Sequence, residues 1–286
     1  MKYLLMGFIT VVISGLLFSQ LSAEESPDNR QLLNWHSDIF QGQLAWLEQP
    51  SSQTTKATLI AIHGTPGSAD AWQALMAQPN IAQHYRVIAI DRPGWGSSKD
   101  AQQRMYPQLA DQVALIEPII EHTSWSEQTS ETPTILVGHS WGGPVVLALA
   151  QRFPELIDGI VLVASPADPA VSQPRWYHQA ARLIPVQWLI GQRMTDSNQE
   201  MLTLDEELEK LKPELAAINM PVVILQGEKD WLVKSQNALY LQQQLSNAQL
   251  QLKLDEKANH FIPFKTPEVV ADAIDWVTES VIASEH

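Results

Sequence analysis

Cysteine is missing from all 286 residues. That excludes disulfides, thiolate metal sites and a cysteine nucleophile, in any compartment. Positive charge is scarce: 18 Lys and Arg stand against 32 Asp and Glu, a net of −14 at pH 7. Such an acidic chain is a poor partner for nucleic acid and for anionic membranes. Internal repeats, low-complexity tracts, metal-ligand spacings and a dinucleotide-type glycine motif are also lacking. Neither an array of repeats nor a largely disordered chain is therefore expected, and no metal or cofactor. What remains is apolar: 45% of the residues are hydrophobic, enough for one large core with room for an insertion.

The first 23 residues, "MKYLLMGFITVVISGLLFSQLSA", carry one Lys, an apolar stretch from Tyr3 to Phe18, a polar step and a small residue, Ala23. This is the layout of a secretory signal peptide. The apolar stretch is short for a span of about 20 residues, and Leu21 is large for a cleavage motif. An uncleaved anchor is the competing reading. Both place the globular part outside the cytoplasm, with a membrane as partner only through this segment.

Beyond it, short β-branched runs alternate with helical sequence. "HSDIF" and "QLAWLEQ" suggest an antiparallel hairpin around Gly42. "ATLIAIH", "YRVIAID", "PTILVG" and "GIVLVAS" are strands, separated by helical segments such as "YPQLADQVALIEPIIEH", where Leu109, Val113, Ile116 and Ile120 share a face. Apolar runs this short, separated by helices, predict a parallel sheet buried on both faces. From Pro166 to Pro213 the strand pattern lapses into aromatic-rich helix, then resumes with "PVVILQG" and "QLQLKL". The predicted organisation is an α/β core, residues 24–166 and 214–286, with a helical insertion over 167–213. The insertion follows a strand end, the side where open α/β sheets bind ligands.

The chemistry gathers at those strand ends. "VGHSWGG" presents Ser140 between Gly138 and Gly142, on a turn joining an apolar run to a helix. A nucleophile on so tight a turn needs small neighbours two residues either side. A hydroxyl is a weak nucleophile until a base takes its proton. His260, in "EKANHFIPF" after the last strand, is the best-placed base. His139 is expected to point away from Ser140 as a packing residue, His63 to order its own loop, and His178 to line a pocket within the insertion. An acid must fix the tautomer of the base. Asp230 in "LQGEKDWLV" lies in the required Ser–Asp–His order. Asp168 in "SPADP" is the alternative. Backbone N–H groups of Trp141 and Thr65, the latter in "HGTPGS", are the candidate oxyanion donors.

Together "HGTPGS", "DRPGWGSS", "GHSWGG", "QGEKDWLV" and "NHFIP" resemble the α/β-hydrolase superfamily, in particular its capped, esterase-like members. The resemblance runs from about Trp35 to the C-terminus. It implies a mostly parallel eight-stranded sheet with helices on both faces, a helical cap after the sixth strand, and an acyl-enzyme mechanism. Ser140 matches the nucleophile, Asp230 the acid, His260 the base, and Thr65 and Trp141 the oxyanion donors. Epoxide hydrolases and haloalkane dehalogenases place Asp where this chain has Ser140. Proline iminopeptidases show "GGSWG", from which His139 departs. Carbon–carbon bond hydrolases and perhydrolases share the triad and stay open, as do amide and thioester cleavage and a non-catalytic ligand binder. The partner implied is a small, fairly apolar molecule. In the cap, Trp176, Tyr177 and Trp188 are the pocket candidates, among apolar neighbours Leu183, Ile184, Leu189 and Ile190.

Overall fold

The computed structural model describes residues 30–124 and 132–284. The predicted signal peptide or anchor lies outside them. Nine strands form one sheet among the described residues. They are β1 (Arg30–His36), β2 (Gln41–Gln49), β3 (Ala57–Ile62), β4 (Tyr85–Asp91), β5 (Lys99–Asp100), β6 (Thr134–His139), β7 (Gly159–Val163), β8 (Val222–Gly227) and β9 (Leu250–Asp255). The order is β1-β2-β4-β3-β6-β7-β8-β9, with the two-residue β5 paired to β2. From β4 to β9 all pairs are parallel, and β1 and β2 add an antiparallel edge. Eight strands of ordinary length are thus present, as expected, and β5 is an addition. The hairpin is shifted from its predicted register. Its first strand is "RQLLNWH", in which alternate residues Leu33 and Trp35 pack inward, and "HSDIF" forms the turn, closed by the Ser37 N–H donating to Phe40 O at 2.8 Å.

The helices are α1 (Gln73–Met76), α2 (Pro79–His84), α3 (Leu109–Ser124), α4 (Gly142–Arg152), α5 (Trp176–Ala180), α6 (Ile184–Ile190), α7 (Gln192–Leu211), α8 (Gln236–Gln244), α9 (Ile262–Lys265) and α10 (Pro267–Ser284). Each central strand alternates its side chains between two cores, because successive residues point to opposite faces. Ile60, Ile88, Leu136, Ile160 and Ile224 face α3 and α4. Leu59, Val87, Val137, Val161 and Val223 face Trp72 and the apolar stripe of α10, Val270, Ile274, Val277 and Val281. Burial on both faces is why these strands read as unbroken apolar runs. No helix among the described residues is long and apolar enough to cross a membrane.

Helices α5, α6 and α7 fall between β7 and β8, after the sixth strand if β5 is left out of the count. They do not behave as one unit. In α7, Leu204, Leu208 and Leu211 belong to the main core beside the side chains of α4. Glu207, on the same face, accepts the backbone N–H of Leu109 at 2.9 Å and so caps the start of α3. In contrast α5 and α6 bury no residue completely. This division predicts unequal sensitivity. Leu208→Ala should cost about 3 kcal/mol, the usual consequence of a core truncation, whereas Leu189→Ser on α6 should stay within about 0.5 kcal/mol. Urea unfolding of the two variants checks both.

Candidate active site

Ser140 sits between β6 and α4 with φ +51, in the left-handed region. A non-glycine residue there is strained by about 1–3 kcal/mol, so its surroundings must hold it. Its N–H donates to Val163 O at 2.9 Å, and its own carbonyl accepts the Gly143 N–H at 2.8 Å. The flanking glycines allow the approach. A Cβ on Gly138 would lie 2.8 Å from Gly142 O, and one on Gly142 would lie 2.3 Å from Ile62 O. Strand β3 and the turn are therefore in backbone contact, which brings the loop after β3 against Ser140.

The side chains then line up. Ser140 Oγ is 2.9 Å from His260 Nε2, and His260 Nδ1 is 2.7 Å from Asp230 Oδ2. All three residues are buried. Asp230 is itself fixed, because Oδ1 accepts the N–H groups of Leu232 and Val233 at 2.9 and 2.8 Å. Asp168 does not take part. Its carboxylate accepts the Ala170 N–H at 2.9 Å in a local turn. Thr65 and Trp141 flank Ser140 on the cavity wall. Neither backbone N–H enters the turn and loop hydrogen bonds of the described residues. Trp141 immediately precedes the N-terminus of α4, where the helix dipole favours negative charge.

Two cavities meet at this serine. The larger, of about 350 Å³, runs under the insertion and is walled by Tyr177, Ile190, Met194, Met201, Leu204 and Leu232 among others. The smaller, of about 250 Å³, is bounded by Ser68, Asp70, Gln73, Arg193 and Phe264. Both reach Thr65, Ser140 and His260. Of the three aromatic pocket candidates, Tyr177 lines the larger cavity. Trp176 and Trp188 do not, and are 52% and 83% exposed. Helix α6, "IPVQWLI", is apolar nearly all round, so helical periodicity gave no inner face. His178 does line the cavity, with Nδ1 3.0 Å from Asn198 Oδ1, and burial lowers its pKa.

A family model described as the alpha/beta hydrolase family matches residues 59–273. The chain belongs to that family. Among curated relatives it is 26% identical to the uncharacterized hydrolase YugF of Bacillus subtilis over 254 residues, 77% of this chain and 89% of that protein. It is 34% identical over 109 residues to a pimeloyl-[acyl-carrier protein] methyl ester esterase of Aeromonas hydrophila, 37% of each chain. This chain thus spans well under two thirds of that second relative. Among solved structures, a thermophilic esterase from Thermogutta terrifontis has a TM-score of 0.65 at 18% identity, covering 88% of this chain and 98% of that one. That likeness concerns the fold.

Beyond the residues legible in the sequence, this member of the family holds its site with four others. His139 does not merely pack: its Nε2–H donates to the carbonyl of His260 at 2.9 Å, with the rings 4.9 Å apart. Burial, then the nearby His260, depress its pKa to about 3, so the ring is a neutral donor. Arg92 is fully buried and forms a bidentate pair with the equally buried Glu200 of α7, at 2.7 and 3.1 Å. The same guanidinium donates to the carbonyls of His63 and Gly64 at 2.9 and 3.0 Å and lies 4.5 Å over the Trp141 ring. Trp95 Nε1 donates to Glu200 at 2.9 Å. One cation thus braces both segments that flank Ser140. His63 orders its loop as expected, donating from Nδ1 to Gly64 O at 2.7 Å and accepting the Arg92 N–H on Nε2 at 3.0 Å.

Two outcomes follow. Glu200→Leu leaves the Arg92 charge buried and unpaired, and should cost about 3–5 kcal/mol in urea unfolding. His139 binds a proton in the unfolded chain near its ordinary pKa of about 6.5 but not in the fold until about pH 3. In that window the unfolded state holds more protons, so the stability His139 confers is full above pH ~6.5 and lost as pH falls. His139→Gln should therefore shrink the stability difference between about pH 7 and 5 by roughly 2 kcal/mol, measured by urea titrations at the two pH values.

Proposed function

We propose that the protein is a cofactor-independent serine hydrolase that cleaves a carboxylic ester of a small, fairly apolar substrate. The observation that carries this reading is the unbroken hydrogen-bonded line Ser140 Oγ, His260 Nε2, His260 Nδ1, Asp230 Oδ2, at 2.9 and 2.7 Å. Such a line converts a hydroxyl into a nucleophile because the proton has somewhere to go and the resulting imidazolium a carboxylate beside it. The larger cavity is within the size range of small-molecule sites, and its apolar walls suit an acyl or aryl group. The names of similar proteins, a methyl ester esterase and a thermophilic esterase, point to the same bond. The secretory character of residues 1–23 supports a location outside the cytoplasm.

In the proposed reaction, Ser140 Oγ–H gives its proton to His260 Nε2 as Oγ bonds to the substrate carbonyl carbon. The carbonyl π pair moves onto oxygen, and the Thr65 and Trp141 N–H groups receive the oxyanion. Collapse breaks the ester C–O bond, and the leaving alkoxide takes the proton from His260. A water then yields its proton to His260 and attacks the acyl carbon. Breakage of the acyl–Oγ bond releases the acid as Ser140 recovers its proton.

Ser140→Ala should lower turnover of p-nitrophenyl butyrate by more than about 1,000-fold with unchanged thermal unfolding. A fluorophosphonate should label wild-type protein and not this variant. Retained turnover would sink the mechanism, and labelling without turnover of any ester in a panel would move the activity to another bond.

A further inference from the structure

The outer face of α5 and α6 is apolar and open to solvent. Leu183, Ile184 and Leu189 are 60%, 61% and 64% exposed, and Trp188 is the most exposed large apolar side chain among the described residues. On α5, Trp176 is exposed as well. Isolated exposed apolar residues are ordinary, but a cluster of this size marks a contact surface. It lies on the reverse side of the helices whose Tyr177 and Ile190 wall the larger cavity.

The charge around it runs against the rest of the chain. From Pro169 to Thr195 there is no Asp or Glu, while Arg175, Arg182 and Arg193 fall in the same stretch. In a protein of net charge −14, this is a local field of the opposite sign. Arg175 lines the larger cavity and Arg193 the smaller, which leaves the exposed Arg182 beside Leu183 on the outer face. Apolar side chains including tryptophan, next to an arginine and with no carboxylate on their own segment, match the phosphate and acyl layers of a phospholipid surface.

We propose that the outer face of α5 and α6 docks on a phospholipid bilayer, with Leu183, Ile184, Trp188 and Leu189 entering the headgroup–acyl boundary. The larger cavity then lies beneath the docked helices. This proposal does not rest on the ester chemistry, since binding can be read without turnover.

The missing cysteines make the test clean. In the full chain, Leu189→Cys carries a single environment-sensitive fluorophore, and Gln83→Cys, exposed at the opposite end of the sheet, carries the control. On adding phosphatidylcholine vesicles containing phosphatidylglycerol, emission from position 189 should shift to the blue and become quenchable by spin-labelled lipid. Position 83 should not change. Adding Leu183→Ser, Ile184→Ser and Trp188→Ser to Leu189→Cys should abolish the shift, even where the N-terminal segment holds the chain on the vesicle. Arg182→Gln should weaken apparent vesicle affinity about fivefold. No shift at 189, equal shifts at both positions, or a shift at 189 that grows with protein concentration without lipid would each overturn the proposal. The last outcome would assign the face to a second copy of the chain.

Discussion

The contact on which the rest depends is that of one backbone with another, where the turn after β6 presses on the end of β3. Gly142 has no side chain because the Ile62 carbonyl already occupies that space. That closeness fixes Ser140 in a left-handed conformation and brings the Gly64–Thr65 loop beside it. Hydrogen bonds from neighbouring strand ends hold the arrangement, so the strain at one residue is borne by the whole centre of the sheet. The histidine and aspartate arrive from loops after β9 and β8, at the same edge, because parallel strands put all their C-terminal ends together.

Much of this was legible in the sequence because the determinants are local. A glycine two residues either side of a serine, a proline-glycine loop after an apolar run, and a histidine after the last strand each show their purpose within a few residues. The two cores were legible for a similar reason: unbroken β-branched runs mean burial on both faces. What escaped was non-local. Arg92 and Glu200 are 108 positions apart, and nothing near either residue names the other. His139 was expected only to pack, since its acceptor is a backbone carbonyl on a distant loop. The outward direction of Trp188 escapes because an apolar helix has no distinguishable inner face until its neighbours are known, and that of Trp176 because α5 is little more than one turn long. The first strand escapes because only Leu33 and Trp35 of its seven residues pack inward.

The site is also electrically layered. Nearest the serine are neutral or paired groups: a neutral His139, the His260–Asp230 pair, and Arg92 matched to Glu200. A buried ion pair seldom adds net stability over an apolar substitute, and its value is in fixing geometry. Here the geometry in question includes the Gly64 carbonyl, the Trp141 ring and the long helix of the insertion. The insertion's short helices carry no carboxylate of their own.

The two buried glutamates of α7 carry a consequence for how the family can diversify. Glu200 and Glu207 lie about two turns apart on one face, one tied to the loop after β4 and one to the start of α3. A substitution along that face disturbs the sheet's own scaffolding. Residues 169–191 carry no comparable obligation, since α5 and α6 bury almost nothing. Selection can therefore rewrite the roof of the cavity, and the surface it turns outward, while the helix that supports it stays unchanged. Novelty in such a protein should accumulate in one short stretch of chain.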